Sequence, residues 1–478
     1  MNIVEQYDAN NSYYALDVLD TKGIHGLRFE SEDNNIYITK VDFGDGVTRN
    51  GTGIIGSGSY VGTSSKTYSD YFTGKIKIYN NPQKIKKIVI DFGLDGHSSD
   101  PDYLTVKNVV LTPEILDYFP NADYFYFNHY SYGSIHSSLK GKVTGEWATK
   151  CRDKLKVLAF ASSDYPTSDP TFDFDLIPTN SILENLTLPG YATTFRANFI
   201  VKGNISNIPN TLKIINLGGD NPANTTNSVS GVIPNWVTYF SRLGRNTITA
   251  NVEGLNDNLQ YLTVLGNNGL SGNLKSFPLC TTFNVQGNNT ISGTLKPMPL
   301  CTSFSVMSSN CNISGLLNND INLPNAETIN VTGISMLSGV IKTSSKITTL
   351  NIAGNNQIEG LELLSNCTSF TLQGNNTISG NPFQYLPKAR TIVIQGNNKV
   401  NNYTSRTYPT MSRFILQGLA ELDQAKVDQL LKDLSEASWN PAGGVCTIKG
   451  NCSTPSATGK NYASIIASKG SGVIVSIN

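Results

Sequence analysis

One short pattern returns along most of this chain, and it restricts the fold more than any other feature. Aligned on a Ser-Gly or equivalent pair, the stretches read NSVSGVI, GNNGLSGNL, GNNTISGTL, SNCNISGLL, GISMLSGVI, GNNQIEGLEL and GNNTISGNPF. Their glycines are Gly231, Gly272, Gly293, Gly315, Gly339, Gly360 and Gly380, and from Gly272 onward the spacings are 21, 22, 24, 21 and 20 residues. A β-like phrase precedes each: LQYLTV, CTTFNV, CTSFSV, AETINV, ITTLNI, CTSFTL. These phrases alternate apolar and polar residues, as in Phe283 and Val285 or Phe304 and Val306, which predicts strands with one buried face. A unit of this length cannot bury that face alone. Stacked units form a continuous core with one parallel strand per coil. Weaker versions at KKIVIDFG, DYFYFNHY, LKVLAFAS, LENLTLPG and LKIINLGG carry the pattern upstream, and about thirteen coils at the ~4.8 Å strand spacing predict a rod of roughly 60 Å.

Composition narrows the function. Lys+Arg and Asp+Glu are 36 each, so the formal net charge is zero. A nucleic-acid protein needs surplus positive charge to displace phosphate counterions. Charged residues make up only 15%, and Asn takes their place: 34 Asn lie in residues 201–400. The first residues, MNIVEQYDANNSYYALDVLD, have no basic or apolar region of a secretory signal, and no apolar run suits a membrane span. Seven cysteines without a CxxC pair argue against a disulfide framework or a zinc site and for folding in a reducing cytoplasm.

The units resemble leucine-rich repeats of the form LxxLxLxxNxLSGxIP, and NSVSGVIPNW at 227–236 is close to the plant and bacterial variant. Four residues before each aligned glycine stand Asn227, Asn268, Asn289, Cys311, Ser335, Asn356 and Asn376, and Asn398 follows in the next coil. In that family a short amide at this sharp bend bonds the backbone of the next coil, so these residues are expected to form a structural ladder. One extra residue separates strand from ladder Asn, as in LTVLGNN, which argues for a wider coil without short helices on the convex side. Cys280, Cys301 and Cys367 share one place in their coils with Leu259 and Ala326, and are read as small buried residues stacked in register.

Both ends differ from the repeats. Residues 1–84 are rich in Tyr, Gly and Asp and read as a β-rich N-terminal cap or docking domain. Residues 85–420 form the expected leucine-rich-repeat-like solenoid. Residues 421–478 form a small α/β capping module: a helix with Val427, Leu430, Leu431 and Leu434 at helical spacing and Asp423 as N-cap, the strand VCTIKG, the loop NCSTPSATG, the helix KNYASIIASKG and a last strand. This ending resembles the C-terminal module of repeat-bearing structural proteins of phages that infect Bacteroidetes. The match lies in Val427-Asp428-Gln429-Leu430-Leu431, Thr454-Pro455-Ser456-Ala457 and the final strand. The fold class expected is mainly β, a solenoid with a β-rich N-terminal domain and a small α/β C-terminal cap.

Candidate chemistry is sparse. Asp91-Phe92-Gly93 lacks every other kinase element. Asp42, Asp45, Asp95, Asp100 and Asp102 lie in Gly-rich loops but lack the DxDxDG order of a calcium loop, so Asx-turns are favoured. Asp164, Asp169, Asp173 and Asp175 cluster as glycosidase carboxylates would, yet 259–319 holds only the charges Lys275 and Lys296. NADYFYFNHYSYGSIH continues into a loop with Tyr130, Tyr132 and His136, candidate ligand contacts beside a strand whose aromatics read as core. No catalytic, cofactor-binding or metal-binding residues are assigned, and no enzyme activity is expected.

A neutral, Asn-rich binding rod without signal, anchor or disulfides, together with the C-terminal resemblance, implies a virion structural protein of a tailed bacteriophage. A tail fibre, receptor-binding appendage or head fibre, assembled in the host cytoplasm, is expected. Its partners would be other virion proteins, further copies of itself and a host-surface glycan or protein, with no nucleic acid and no membrane insertion. A bacterial cell-surface leucine-rich-repeat adhesin and an intracellular protein-binding scaffold are the alternatives.

Overall fold

The computed structural model describes residues 13–31, 38–42, 48–50, 61–80, 85–91, 107–128, 140–160, 170–188, 200–218, 228–243, 246–266 and 268–478. The chain divides into two compact units, Met1–Ile248 and Thr249–Asn478.

The first unit starts antiparallel and becomes parallel. Tyr13–Ser31 pairs antiparallel with Val61–Asn80, placing Tyr13 opposite Tyr79. Ile38–Asp42 pairs antiparallel with Thr48–Asn50 and with Val61–Asn80. Ile85–Asp91 is the joint. It runs antiparallel to Tyr13–Ser31, with Ile90 opposite Leu27, and parallel to Tyr124–Asn128, with Ile88 beside Phe125. From there every step is parallel: Val157–Phe160, Asn185–Leu188, Ile214–Leu217 and Tyr239–Leu243 follow in register. A parallel step needs a long return path, and part of each return forms a second ladder, as in Thr171–Asp173, Ile200–Asn204 and Ser228–Val232. The aromatic phrase at 124–128 behaves as core on one face. Phe125 and Phe127 are buried, and Trp147 lies 5.3 Å from Phe125 and 4.9 Å from Phe160 between ring centroids.

The second unit is a stack of coils around ten parallel strands: Tyr261–Leu265, Thr282–Gln286, Ser303–Met307, Thr328–Val331, Thr349–Ile352, Ser369–Leu372, Thr391–Ile394, Arg413–Leu416, Val445–Ile448 and Ile474–Ile477. Alternation decides what points inward. Phe283, Val285, Phe304, Val306, Ile329, Val331, Leu350, Ile352, Phe370 and Leu372 are all buried. Phe277, Phe283 and Phe304 stack with centroids 5.8 and 5.7 Å apart. Truncating one such ring to Ala costs about 3–5 kcal/mol. After each bend the Ser-Gly segments form a second parallel ladder, Gly269–Asn273, Thr290–Thr294, Asn312–Leu316, Met336–Ile341 and Gln357–Leu361. Ser379–Gly380 and Lys399–Val400 form a separate short pair.

Residues 421–478 continue the main ladder: Val445–Ile448 and Ile474–Ile477 are its last two strands. Earlier coils return through the second ladder and, against the expectation of coils without short helices, several add a 3-10 turn, as at Val252–Gly254 and Pro382–Tyr385, whereas these return through the α-helices Gln424–Glu436 and Ala457–Ala467. The first buries Val427, Leu430, Leu431 and Leu434 and begins where the Asp423 side chain accepts from Lys426 N. The second begins earlier than the sequence suggests. Ser456 is its N-cap, accepting from Gly459 N, so the expected loop 451–459 ends at Ser456. Among the described residues no helix is long and apolar enough to cross a membrane.

Candidate functional site

Two columns hold the coils of the second unit together, and a third set of side chains is left facing outward. The first column is glycine. The extra residue between strand and ladder Asn is Gly266, Gly287, Gly333, Gly354, Gly374, Gly396, Gly418 or Gly450 in successive coils, with Ser308 standing once among them. All eight have positive φ. They also touch: a Cβ on Gly374 would lie 1.7 Å from the carbonyl oxygen of Gly354, and one on Gly396 2.2 Å from that of Gly374. The extra residue is therefore a left-handed glycine demanded by conformation and by contact at once.

The second column is the predicted ladder. Asn268, Asn289, Cys311, Ser335, Asn356, Asn376 and Asn398 are buried. Their bonds run mainly to the preceding coil and to their own, rather than to the next. Asn289 Oδ1 accepts from Leu270 N at 2.9 Å, Asn356 Oδ1 from Leu337 N at 3.0 Å and Asn376 Oδ1 from Ile358 N at 3.0 Å. The amide NH2 groups of Asn356, Asn376 and Asn398 donate three residues back, to Ala353, Gln373 and Gln395 O. Asn268 also donates forward, to Gln286 O at 2.8 Å. Ser335 fills the same role with a hydroxyl, accepting from Ile313 N at 3.2 Å. Sequence reading missed two further members. Ala420 and Cys452 are buried, and the Cys452 thiol donates to Ala420 O. The signal was present: QGLA and KGNC repeat the spacing of QGNN. Asn478 Nδ2 donates to Gly450 O and Cys452 O, the next acceptors of these columns. Asn227 lies outside the described residues.

The outward face of the main ladder is chemically uniform. From 282 to 395 each coil presents three side chains: Thr282, Asn284, Gln286; Ser303, Ser305, Met307; Thr328, Asn330, Thr332; Thr349, Asn351, Ala353; Ser369, Thr371, Gln373; Thr391, Val393, Gln395. Ser305 and Val393 are buried among their neighbours and the other sixteen are half-exposed or exposed; none is charged and none aromatic. The middle row is in strict register from Thr263 through Asn284, Ser305, Asn330 and Asn351 to Thr371 and Val393. Beside these rows Asn397 donates to Asn375 Oδ1 at 3.1 Å, and Gln373 donates to Gln395 Oε1. At the entry to the strands Thr281, Thr302, Thr348 and Thr368 each donate a hydroxyl to a carbonyl of the preceding coil. Asn284, Asn330 and Asn351 instead make no side-chain hydrogen bond among the described residues.

The other candidates resolve as follows. Asp173 accepts from Asp175 N and pairs with Lys202 at 3.2 Å, while Asp175 accepts from Asn204 N. Both carboxylates hold backbone, and Asp164 and Asp169 lie outside the described residues. So do Tyr130, Tyr132, His136, Phe92, Gly93, Asp45, Asp95, Asp100 and Asp102. No group of His, Cys, Asp and Glu able to hold a metal is found among the described residues. All seven cysteines are free and buried. Burial pushes the thiols of Cys280 and Cys367 up to about 12 and that of Cys301 up to about 11, far from the depressed values of a nucleophile.

No family model and no curated protein matches the chain. Among solved structures it is similar to the leucine-rich-repeat ectodomain of the Arabidopsis thaliana membrane receptor kinase GASSHO1/SCHENGEN3, in complex with Casparian strip integrity factor 2. The identity is 15%, covering 79% of this chain and 54% of that one, with a TM-score of 0.41. The Arabidopsis receptor kinase HAESA, in complex with the peptide hormone IDA and the co-receptor SERK1, is similar at 14% identity over 73% of this chain and 66% of that one, with a TM-score of 0.38. The chain spans about half the length of the first. The fold class, mainly β and of leucine-rich-repeat type, rests on the ladders described above.

Proposed function

We propose that this chain is a non-enzymatic binding protein whose recognition surface is the outward face of the main ladder in residues 282–395. The observation that carries the reading is the split among its asparagines. Asn289, Asn356 and Asn376 are buried and spent on backbone, whereas Asn284, Asn330 and Asn351 are half-exposed with their amides unspent. Repeat proteins present such long surfaces to partners.

Within that class we propose a virion structural protein of a tailed bacteriophage, in a tail fibre, receptor-binding appendage or head fibre that mediates attachment. Seven free, buried cysteines suit a chain that folds in a reducing cytoplasm although its surface is that of an external binder. The sequence of the C-terminal module, in which Asp428 and Ser456 bond directly, resembles that of phage structural proteins, and this resemblance supports the same reading. Gold-labelled antibody against the full chain, applied to intact purified particles, tests it. Label at a defined place on the particle is the expected result, and particles with no copies of the chain refute it.

A further inference from the structure

We infer that the outward face binds an uncharged, hydroxyl-rich polymer, a neutral polysaccharide laid across the strands; this rests on the reading of that face as the recognition surface. Its sixteen half-exposed or exposed side chains in residues 282–395 include fourteen Ser, Thr, Asn or Gln and no charge. An acidic polysaccharide would bring carboxylates or sulfates to a face with no cation among those positions. A protein partner would meet no Trp, Tyr or Arg there, the residues that anchor protein interfaces. An extended peptide adding as a strand needs an open sheet edge, but along this face every backbone edge is already paired with a neighbouring coil. Sugar hydroxyls both donate and accept, as do the amides and hydroxyls of these rows. The rows repeat once per coil, roughly every 4.8 Å, so a polymer running across them meets the same groups again at each step. Hydrogen bonds without ring stacking are individually weak, and repetition along the polymer and across copies of the chain supplies the affinity.

The test uses the full chain against immobilised dextran, mannan, xyloglucan and starch, with alginate, polygalacturonate and chondroitin sulfate as acidic counterparts. Binding to at least one neutral polymer, little changed between low and high salt, is expected. The variant carrying both Asn330→Asp and Asn351→Asp should bind at least about tenfold more weakly at an unchanged melting temperature, one such factor corresponding to about 1.4 kcal/mol. Binding only to the acidic polymers, no binding to any neutral one, or neutral binding untouched by this variant overturns the inference. The two readings fail separately. Particles that carry the chain while the neutral polymers go unbound refute the ligand class alone, and particles without the chain refute the virion reading.

Discussion

Ser456 donates twice to Asp428, from its backbone N to Oδ1 at 3.0 Å and from its hydroxyl to Oδ2. One carboxylate on the helix Gln424–Glu436 thereby fixes the start of the helix Ala457–Ala467, where the Ser456 side chain in turn accepts from Gly459 N. A Cβ on Gly459 would lie 1.9 Å from Asp428 Oδ1. The motif residues Asp428 and Ser456, with Gly459 beside them, thus form one contact, and the Val-Asp and Pro-Ser pairs of the C-terminal module belong together for that reason.

Asp428→Ala is expected to destabilise the chain by about 1–2 kcal/mol, the usual cost of losing a helix cap. Ser456→Ala should cost a similar amount. In a double-mutant cycle the two losses should fall well short of adding. Additive losses would show that the pair does not act as a unit.

The buried amide ladder makes a sharper claim. Asn376→Leu removes the acceptor of Ile358 N and the donor to Gln373 O, and should cost about 1–3 kcal/mol for each buried group left unpaired. Asn375→Leu, one residue away and exposed, should change the melting temperature little. Amide exchange at Ile358 should accelerate only in the first variant.

Glycine at two kinds of place should respond differently to alanine. Gly374→Ala sets a Cβ against the Gly354 carbonyl at φ +99° and should prevent the coil from closing. Gly380→Ala, at φ +76° with open space around it, should cost only the left-handed penalty of about 1–2 kcal/mol. Equal melting temperatures for the two would contradict the stacked column.

The cysteines yield a pH prediction. Cys280, Cys301 and Cys367 stay protonated in the folded chain to about 12, 11 and 12, against 9.0 for a free thiol. Above pH 9 the unfolded chain loses these protons while the folded chain keeps them, so stability falls as pH rises from there. Each thiol contributes a slope approaching about 1.4 kcal/mol per pH unit. Chemical denaturation at pH 8 and pH 10 measures the loss, and replacing Cys280, Cys301 and Cys367 with Ala should make it smaller, the remainder coming from the other buried thiols Cys151, Cys311, Cys446 and Cys452, which burial also raises.

Much of this architecture was legible because burial repeats. A period of two marks strands such as Thr282–Gln286, and a recurrent glycine marks the bend after them. The direction of the ladder bonds was not legible, because Asn289 has a coil on either side and only geometry tells Leu270 N from a partner in the next coil. Ala420 and Cys452 escaped notice because the ladder changes residue there and a helix lengthens the coil between them. The outward rows were visible only as composition. The same residue type fills both roles, and burial separates Asn351 from Asn356.

Adsorption of particles to host cells tests the account most directly. Purified full-length chain, added to the cells first, should occupy the receptor and block adsorption in proportion to its concentration. The variant with Asn330→Asp and Asn351→Asp, equally stable, should block poorly. Adsorption unaffected by saturating wild-type chain, or blocked equally by both proteins, would contradict it.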